Sequence, residues 1–245
     1  MSLKLGIFHG VGIGPGDPEL LTLQAVRVLK QSPVIFVPKA KISDEGMALQ
    51  VLLNSVVKES GGEIRELLFP MSKDPAILKP AWTLARDLVL EVLRTGKDAA
   101  FITLGDTAIY STYMNLLAEL RLAEPGIQMH THAGISSFSA AAAILNLSLC
   151  EKAETLAIVP CLTEVEHMRP ELERFNTIVM MKVGRRFGDL RELLRKMGLL
   201  PYSHLALRMG LPDELVTSDL ESVDAETVTY MSLVIVRKPI SGGYE

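Results

Sequence analysis

Three short loops hold the residues best suited to chemistry: Gly12-Ile-Gly-Pro-Gly-Asp17, Leu104-Gly-Asp-Thr-Ala-Ile-Tyr110 and Ala133-Gly-Ile-Ser-Ser137. The first is as glycine-rich as a phosphate-binding turn but lacks its spacing. A dinucleotide fingerprint begun at Gly10 meets Pro15 where glycine is needed, and one begun at Gly12 meets Asp17. No Gly-Lys-Ser/Thr follows, so it is not a P-loop. Pro15 removes a backbone donor and Asp17 adds negative charge, and both disfavour a polyphosphate. The plainer reading of this loop is a tight turn with a helix cap. In the second loop, Asp106 is either a turn aspartate that caps the next helix or a carboxylate facing a cationic or proton-donating ligand. Tyr110 is either a packing residue or a second proton-transfer group. In the third loop, Ser136 or Ser137 caps an alanine-rich helix, and the small residues also allow close approach of a flat ligand.

Other reactive groups give weaker signals. His130-x-His132 places two imidazoles on one strand face, with no third ligand nearby in sequence, and His9, His167 and His204 stand alone. No protein metal site is expected. A serine-hydrolase elbow, Gly-x-Ser-x-Gly, is absent. Lys182-Val-Gly-Arg-Arg186 is a basic cluster after a strand, either a solvated face or a receiver of carboxylates. Cys150 and Cys161 form neither a disulfide framework nor a Cys-x-x-Cys zinc spacing, as expected for a reducing cytoplasm.

Alternating strands and helices must position these loops. The pattern predicts strands at 5–11, 34–37, 64–69, 99–104 and 127–131. Helices are predicted at 17–31, opened by Asp17 and Pro18, and at 47–58, 80–95, 110–120 and 138–145. This βα alternation predicts a mainly parallel sheet covered on both faces. Beyond it, strands are predicted at 155–159, 177–183, 203–209 and 230–237, with helices at 164–175 and 187–197. About twenty polar residues without a long helix join the last two strands. That points to a mixed sheet and a second α/β domain, with domains at 1–134 and 135–245. The 245 residues suffice for both cores.

Composition narrows the partners. Lys plus Arg is 25 against 29 Asp plus Glu, a net charge of −4, with a pI of about 5.8. Such a surface has no global attraction to nucleic acid or to an anionic membrane. No apolar run reaches the roughly 18 residues of a membrane helix, and the first residues do not read as a signal peptide.

Taken in order, the loops resemble the three motifs of the tetrapyrrole (corrin/porphyrin) methylases: Gly12-Ile-Gly-Pro-Gly-Asp-Pro-Glu-Leu-Leu-Thr22, Gly105-Asp-x-x-x-Tyr110 and Gly134-Ile-Ser-Ser137. The resemblance continues through Val179-Met-Met-Lys182 and Ser232-Leu-Val-Ile-Val-Arg-Lys238 and covers nearly the whole chain. Asp106-x-x-x-Tyr-Ser-Thr112, Glu154-x-Leu-Ala-Ile-Val-Pro160 and Tyr230-Met-Ser-Leu-Val-Ile-Val236 are most similar to the branch that methylates C20 of precorrin-2 or cobalt-factor II. Thr107 and Ala133 stand where the family usually carries proline, a departure that bears on loop stiffness more than on chemistry.

The resemblance implies two α/β domains with a cleft between them, S-adenosyl-L-methionine as cofactor and a homodimer. By motif position it implies cofactor contacts from Pro15, Gly105, Asp106, Ile109, Ser136 and Ser137. Further contacts are implied from Met181 or Lys182 and from Met209 or Gly210. Asp106 and Tyr110 become the catalytic candidates. A tetrapyrrole carries many carboxylates, and Lys39, Lys41, Arg86, Arg185, Arg186 and Arg208 are candidate members of a basic rim. Alternatives within the superfamily are another tetrapyrrole carbon, RNA or diphthamide. An alternative of another class is a module that binds a tetrapyrrole or nucleotide without transfer.

Overall fold

The computed structural model describes residues 4–40, 46–55, 61–72, 74–161 and 164–239. The chain divides into two compact units, Met1–Ser136 and Ser137–Glu245.

The first unit is built on strands β1 (Phe8–Gly12), β2 (Val34–Lys39), β3 (Glu63–Leu68), β4 (Ala99–Thr103) and β5 (Met129–His132). They form one sheet in the order β3-β2-β4-β1-β5, with every neighbouring pair parallel. Helices α1 (Leu23–Gln31), α2 (Met47–Leu53), α3 (Pro75–Arg94) and α4 (Thr112–Ala123) join them. The central strands β1, β2 and β4 are buried on both faces, which explains their nearly continuous apolar runs. Val11, Ile35, Val37, Ala100 and Ile102 pack with Ala25, Val28 and Leu29 of α1 and with Ala48, Val51 and Leu52 of α2. Phe8, Val34, Phe36 and Phe101 pack on the other face with Ala85, Val89 and Leu93 of α3 and with Leu116 and Leu120 of α4. Tyr113 of α4 is fully buried against Phe8 and Phe101, and its hydroxyl shares a 2.8 Å hydrogen bond with Thr131 of β5.

The connections set where a ligand can sit. From β1 the chain runs by α1 to β2 on one side, and from β4 it runs by α4 to β5 on the other. Since β1 and β4 are neighbours, their carboxyl ends form the switch point at which open α/β sheets bind ligands.

The second unit starts with α5 (Ser137–Ile144) and carries strands β6 (Leu156–Pro160), β7 (Thr177–Met181), β8 (Ser203–Leu207), β9 (Leu215–Thr217) and β10 (Ser232–Arg237). Their order is β6-β7-β10-β8-β9. Only β6 and β7 pair parallel; β10 runs antiparallel to both β7 and β8, as β9 does to β8. Helices α6 (Arg169–Arg174) and α7 (Phe187–Lys196) cover one face through Leu172, Phe187, Leu190 and Leu194, which meet Ile178, Met180, Leu205 and Val234. A bidentate pair between Arg237 and Glu154, at 2.6 and 2.9 Å, ties the end of β10 to the residues before β6, and Arg237 also donates to Ser148 O.

Several boundaries differ from those the sequence predicts. The helix predicted at 17–31 is two elements: a 3₁₀ turn at Pro18–Leu20, then α1, which opens on the Thr22 hydroxyl as N-cap. The helix predicted from residue 80 begins five residues earlier, where Asp74 caps Ala76 N–H, and Pro80 lies inside it. The helix predicted from Tyr110 opens on the Ser111 cap instead, leaving Tyr110 outside. The predicted helix at 164–175 is a 3₁₀ turn followed by short α6. The polar stretch before β10 holds the unpredicted strand β9. Part of the helix predicted at 47–58 falls outside the described residues.

His9 on β1 joins His130 and His132 of β5 on one face of the sheet. His9 Nδ1 lies 3.1 Å from His132 Nε2, and the His9 ring stands 5.5 Å from that of His130. Burial, the other imidazoles and, at His132, Arg27 lower both pKa values from 6.5, while Asp98 opposes the shift at His9. A depressed histidine pKa means that the unfolded chain binds more protons below pH 6.5, so stability is full above that pH and declines as pH falls. We expect the thermal midpoint to drop between pH 7.5 and 5.5, and His9→Gln to drop less over the same interval. Equal declines would show that this pair does not set the pH dependence.

Candidate active site

The three loops marked by the sequence meet in the first unit because β4 and β5 flank β1. Ile13 N–H donates to Thr103 O at 2.9 Å, and Gly14 and Gly105 exchange backbone hydrogen bonds at 3.3 and 2.6 Å in an isolated antiparallel bridge. The loop after β5 arrives equally close. A Cβ on Gly12 would lie 2.6 Å from Gly134 N, and one on Gly134 would lie 2.2 Å from Gly105 O. Both positions therefore exclude any side chain while the backbones remain where they are.

Asp106 ties the junction. Its Oδ1 accepts from Ala108 N–H, closing a local turn, and its Oδ2 accepts from Gly134 N–H, both at 2.8 Å. Asp106 therefore closes a turn and does not cap α4, whose N-cap is Ser111, because the helix starts beyond the Asp106–Ala108 bond. The carboxylate fixes its own loop, grips the neighbouring one, and keeps lone pairs for a further donor. Thr107, where the family usually carries proline, is buried in that turn. Beyond it, Tyr110 takes φ +50° and is 44% exposed. Burial of part of the ring raises its pKa above 10.0, so the phenol keeps its proton at neutral pH. Ser111 fixes the exit of the loop: its hydroxyl accepts from Tyr113 N–H and donates to Thr103 Oγ1. Asp17 Oδ1 accepts from Glu19 N–H, which makes the first loop a capped turn, with Pro15 buried inside it.

The predicted site residues thus fall into two groups. Pro15, Gly105, Asp106, Ile109, Tyr110 and Ser136 lie on the loops at the carboxyl ends of β1, β4 and β5. Ser137 starts α5 in the second unit. Met181 ends β7 and Lys182 follows it with φ +60°; Met209 is buried and Gly210 donates its N–H to Glu214. These two pairs lie at one end of the second sheet, on either side of the start of β10.

Candidate rim cations are placed variously. Lys39 pairs with Glu66 at 3.0 Å and Arg86 with Asp87 at 2.7 Å, Arg185 and Arg186 lie on a 3₁₀ turn after β7, and Lys41 is outside the described residues. The structure also supplies the third imidazole, His9, that spacing along the chain could not reveal. Among the described residues no group of three His, Cys, Asp or Glu side chains is arranged to hold a metal ion, and no helix is long and apolar enough to cross a membrane.

Gly134→Ala should displace the third loop and lower stability by about 2–4 kcal/mol, as overpacking against rigid backbone does. Asp106→Asn keeps one acceptor oxygen and should cost about 1 kcal/mol. Urea unfolding measures both. Equal stability of Gly134→Ala and the parent would show that the loops are not in fixed contact.

The chain is similar to known proteins over nearly its whole length. A cobalt-precorrin-2 C(20)-methyltransferase of Salmonella typhimurium is 29% identical over 95% of this chain and 97% of its own. A probable cobalt-precorrin-2 C(20)-methyltransferase of Methanocaldococcus jannaschii is 34% identical over 94% and 95%. A precorrin-2 C(20)-methyltransferase of a Sinorhizobium species is 30% identical over 95% of each chain. Among solved structures, a cobalt precorrin-4 methyltransferase superposes with a TM-score of 0.69 at 17% identity, covering 94% of both chains. The uroporphyrin-III C-methyl transferase of Thermus thermophilus, complexed with S-adenyl homocysteine, gives 0.65 at 23% identity, covering 95% of this chain and 97% of that one. At these identities the structural matches speak for the fold. The sequence profile of the tetrapyrrole (corrin/porphyrin) methylases matches residues 8–224, and the chain belongs to that family.

Proposed function

We propose that this chain is an S-adenosylmethionine-dependent C-methyltransferase that methylates C20 of a precorrin-2-level tetrapyrrole in cobalamin biosynthesis, with the cobalt-containing form (cobalt-factor II) as substrate. The observation that carries this reading is 34% identity over nearly the full length of both chains to a probable cobalt-precorrin-2 C(20)-methyltransferase. Relatives named for another carbon, the C(11)-methyltransferases, are only 24–26% identical and cover 70–74% of this chain. Cobalt enters this reading as part of the substrate.

The residues present fit the cofactor. At Gly105 a Cβ would meet nothing within 4 Å, so this loop leaves open space beside its backbone at the switch point where α/β sheets bind ligands. The carboxylate of Asp106 is held by two N–H groups and has capacity for the ammonium of an amino acid moiety. In this reading Pro15, Gly105, Asp106, Ile109 and Ser136 contact the cofactor. S-adenosylmethionine supplies, when bound, a methyl group already activated on a sulfonium, so the protein's main task is placement. Tyr110, a protonated phenol on an exposed strained turn, orients substrate by donating a hydrogen bond. After methyl transfer the C20 proton must leave to restore conjugation, and a carboxylate or water takes it. The reading carries with it a cytoplasmic homodimer, and sedimentation equilibrium tests the dimer.

The deciding experiment follows labelled methyl from S-adenosylmethionine into metal-free precorrin-2 and cobalt-factor II in parallel, with the product carbon located by NMR. One methyl at C20 of the cobalt substrate is expected, and Asp106→Ala should slow its transfer by about 10²-fold or more. Transfer only to the metal-free substrate would move the enzyme to the other route. Cofactor binding without transfer to either tetrapyrrole would overturn the substrate assignment.

A further inference from the structure

β5 (Met129–His132) is the short outer strand of the first sheet, and its last residue stands two places before Gly134. Whatever holds its carboxyl end therefore sets where the third loop begins. In the sheet it pairs with β1, and two side-chain bonds add to that ladder from opposite faces. On one face Tyr113 and Thr131 share a hydrogen bond at 2.8 Å. On the other His9 Nδ1 meets His132 Nε2 at 3.1 Å. This second bond runs diagonally between the strands, since His9 lies opposite His130 in the register. The His9 and His132 rings are stacked with centres 5.3 Å apart, and His130 stands edge-on to His9.

The pair is asymmetric in a way that assigns its protons. His132 is 7% exposed, and its Nδ1 is buried with no hydrogen-bond partner among the described residues. A proton there would be a donor without an acceptor, so it sits on Nε2 instead and is donated to His9 Nδ1. A further proton then has two places to go. On His132 Nδ1 it makes a buried, charged donor with no acceptor. On His9 Nδ1 it turns the acceptor into a second donor, and the bond is lost. The surroundings also oppose it: His130 from β5 and, at His132, Arg27 from α1 disfavour a positive charge. Asp98, whose Oδ1 accepts from Ile7 N–H at 2.7 Å, acts the other way on His9. Burial is the largest of these effects and keeps both pKa values below 6.5, so the pair is neutral at pH 8 and takes up a proton as pH falls below 6.5.

We infer that His9 and His132 are positioning residues for the cofactor loop. Their hydrogen bond holds the end of β5, and through it Gly134 and Ser136, in the arrangement that binds S-adenosylmethionine, and acid releases it. The junction has no slack to absorb a displaced strand end. Gly134 N–H bonds Asp106 Oδ2 at 2.8 Å, and a Cβ on Gly134 would lie 2.2 Å from Gly105 O. Proton binding at the pair and cofactor binding at the loop therefore oppose each other, and by linkage each weakens the other equally. This rests on the cofactor reading above, in which neither histidine is itself a contact.

The test measures S-adenosylhomocysteine affinity of the full chain by calorimetry from pH 8 to pH 5, with the folded state followed by circular dichroism. Parent affinity should fall about fivefold or more across that interval. Binding near pH 5.5 should release protons, seen by comparing two buffers of different ionisation enthalpy. His9→Leu removes the acceptor and should cost about fivefold already at pH 8, as loss of one neutral hydrogen bond does. His9→Asn, which restores an acceptor near the Nδ1 position, should regain most of it. His9→Asn combined with His132→Gln replaces both imidazoles by amides that do not titrate, and its affinity should change less than twofold from pH 8 to pH 5. His204→Gln, on β8 of the second unit, should keep the parent profile. A parent affinity independent of pH overturns the positioning role. So does an amide pair that follows the parent profile, or His9→Leu binding as the parent does at pH 8. A purely structural pair would lower the thermal midpoint of His9→Leu and leave the affinity and its pH profile unmoved. Absence of parent binding at pH 8 would overturn the cofactor reading itself, and that result is read from the parent alone.

Discussion

Gly12, Gly105 and Gly134 meet backbone to backbone at the carboxyl ends of β1, β4 and β5, closely enough that a methyl group on Gly12 or Gly134 would penetrate its neighbour. The rest of the first unit is arranged so that this contact can exist. β1 must lie between β4 and β5, which requires crossovers in opposite directions and helices on both faces. Buried aromatic side chains on one face and aliphatic ones on the other hold the sheet in that order. Tyr113 shows the coupling directly: its ring fills the space above Gly10 of β1 while its hydroxyl reaches Thr131 on β5, so one side chain of α4 spans the central strand of the site and one of its neighbours.

Electrostatics then refine what the backbone contact permits. Asp106 spends one oxygen on its own turn and the other on the next loop, so the charge of the site is also its fastener. A neutral, apolar residue would leave two amide donors near the junction without an acceptor, which costs more than the hydrogen bonds themselves contribute. His9 and His132, on β1 and β5, show the opposite economy. Burial and mutual repulsion favour their neutral forms, so β1 and β5 lie side by side without adding charge beneath the loops.

The second unit solves a different problem with a different sheet. Placing β10 antiparallel between β7 and β8 brings the carboxyl ends of two strands to the start of a third, with main-chain acceptors available to both following loops. Parallel neighbours would not provide that arrangement. The bidentate Arg237–Glu154 pair sits at the far end of β10 and anchors the sheet away from the loops, leaving the loop end to carry strained, charged residues.

Much of this was legible along the chain. Alternating apolar runs and glycine punctuation give the βα order, since buried strands and amphipathic helices impose their periods on any sequence that forms them. The ordered loops at Gly12, Gly105 and Gly134 gave the family resemblance, because tight turns at strand ends restrict residue type locally. Helix starts were less legible: Thr22, Asp74 and Ser111 are the actual caps, and a Ser or Thr hydroxyl or an Asp carboxylate at a cap looks the same in sequence as one in a turn. Only the tertiary structure decided that Asp106 grips Gly134, that His9 joins His130 and His132, and that Lys182 and Arg208 flank β10. These pairings span 23 to 123 residues of chain, and their partners are chosen by strand order. Strand order is settled by packing of the whole sheet, a quantity no local stretch of sequence contains.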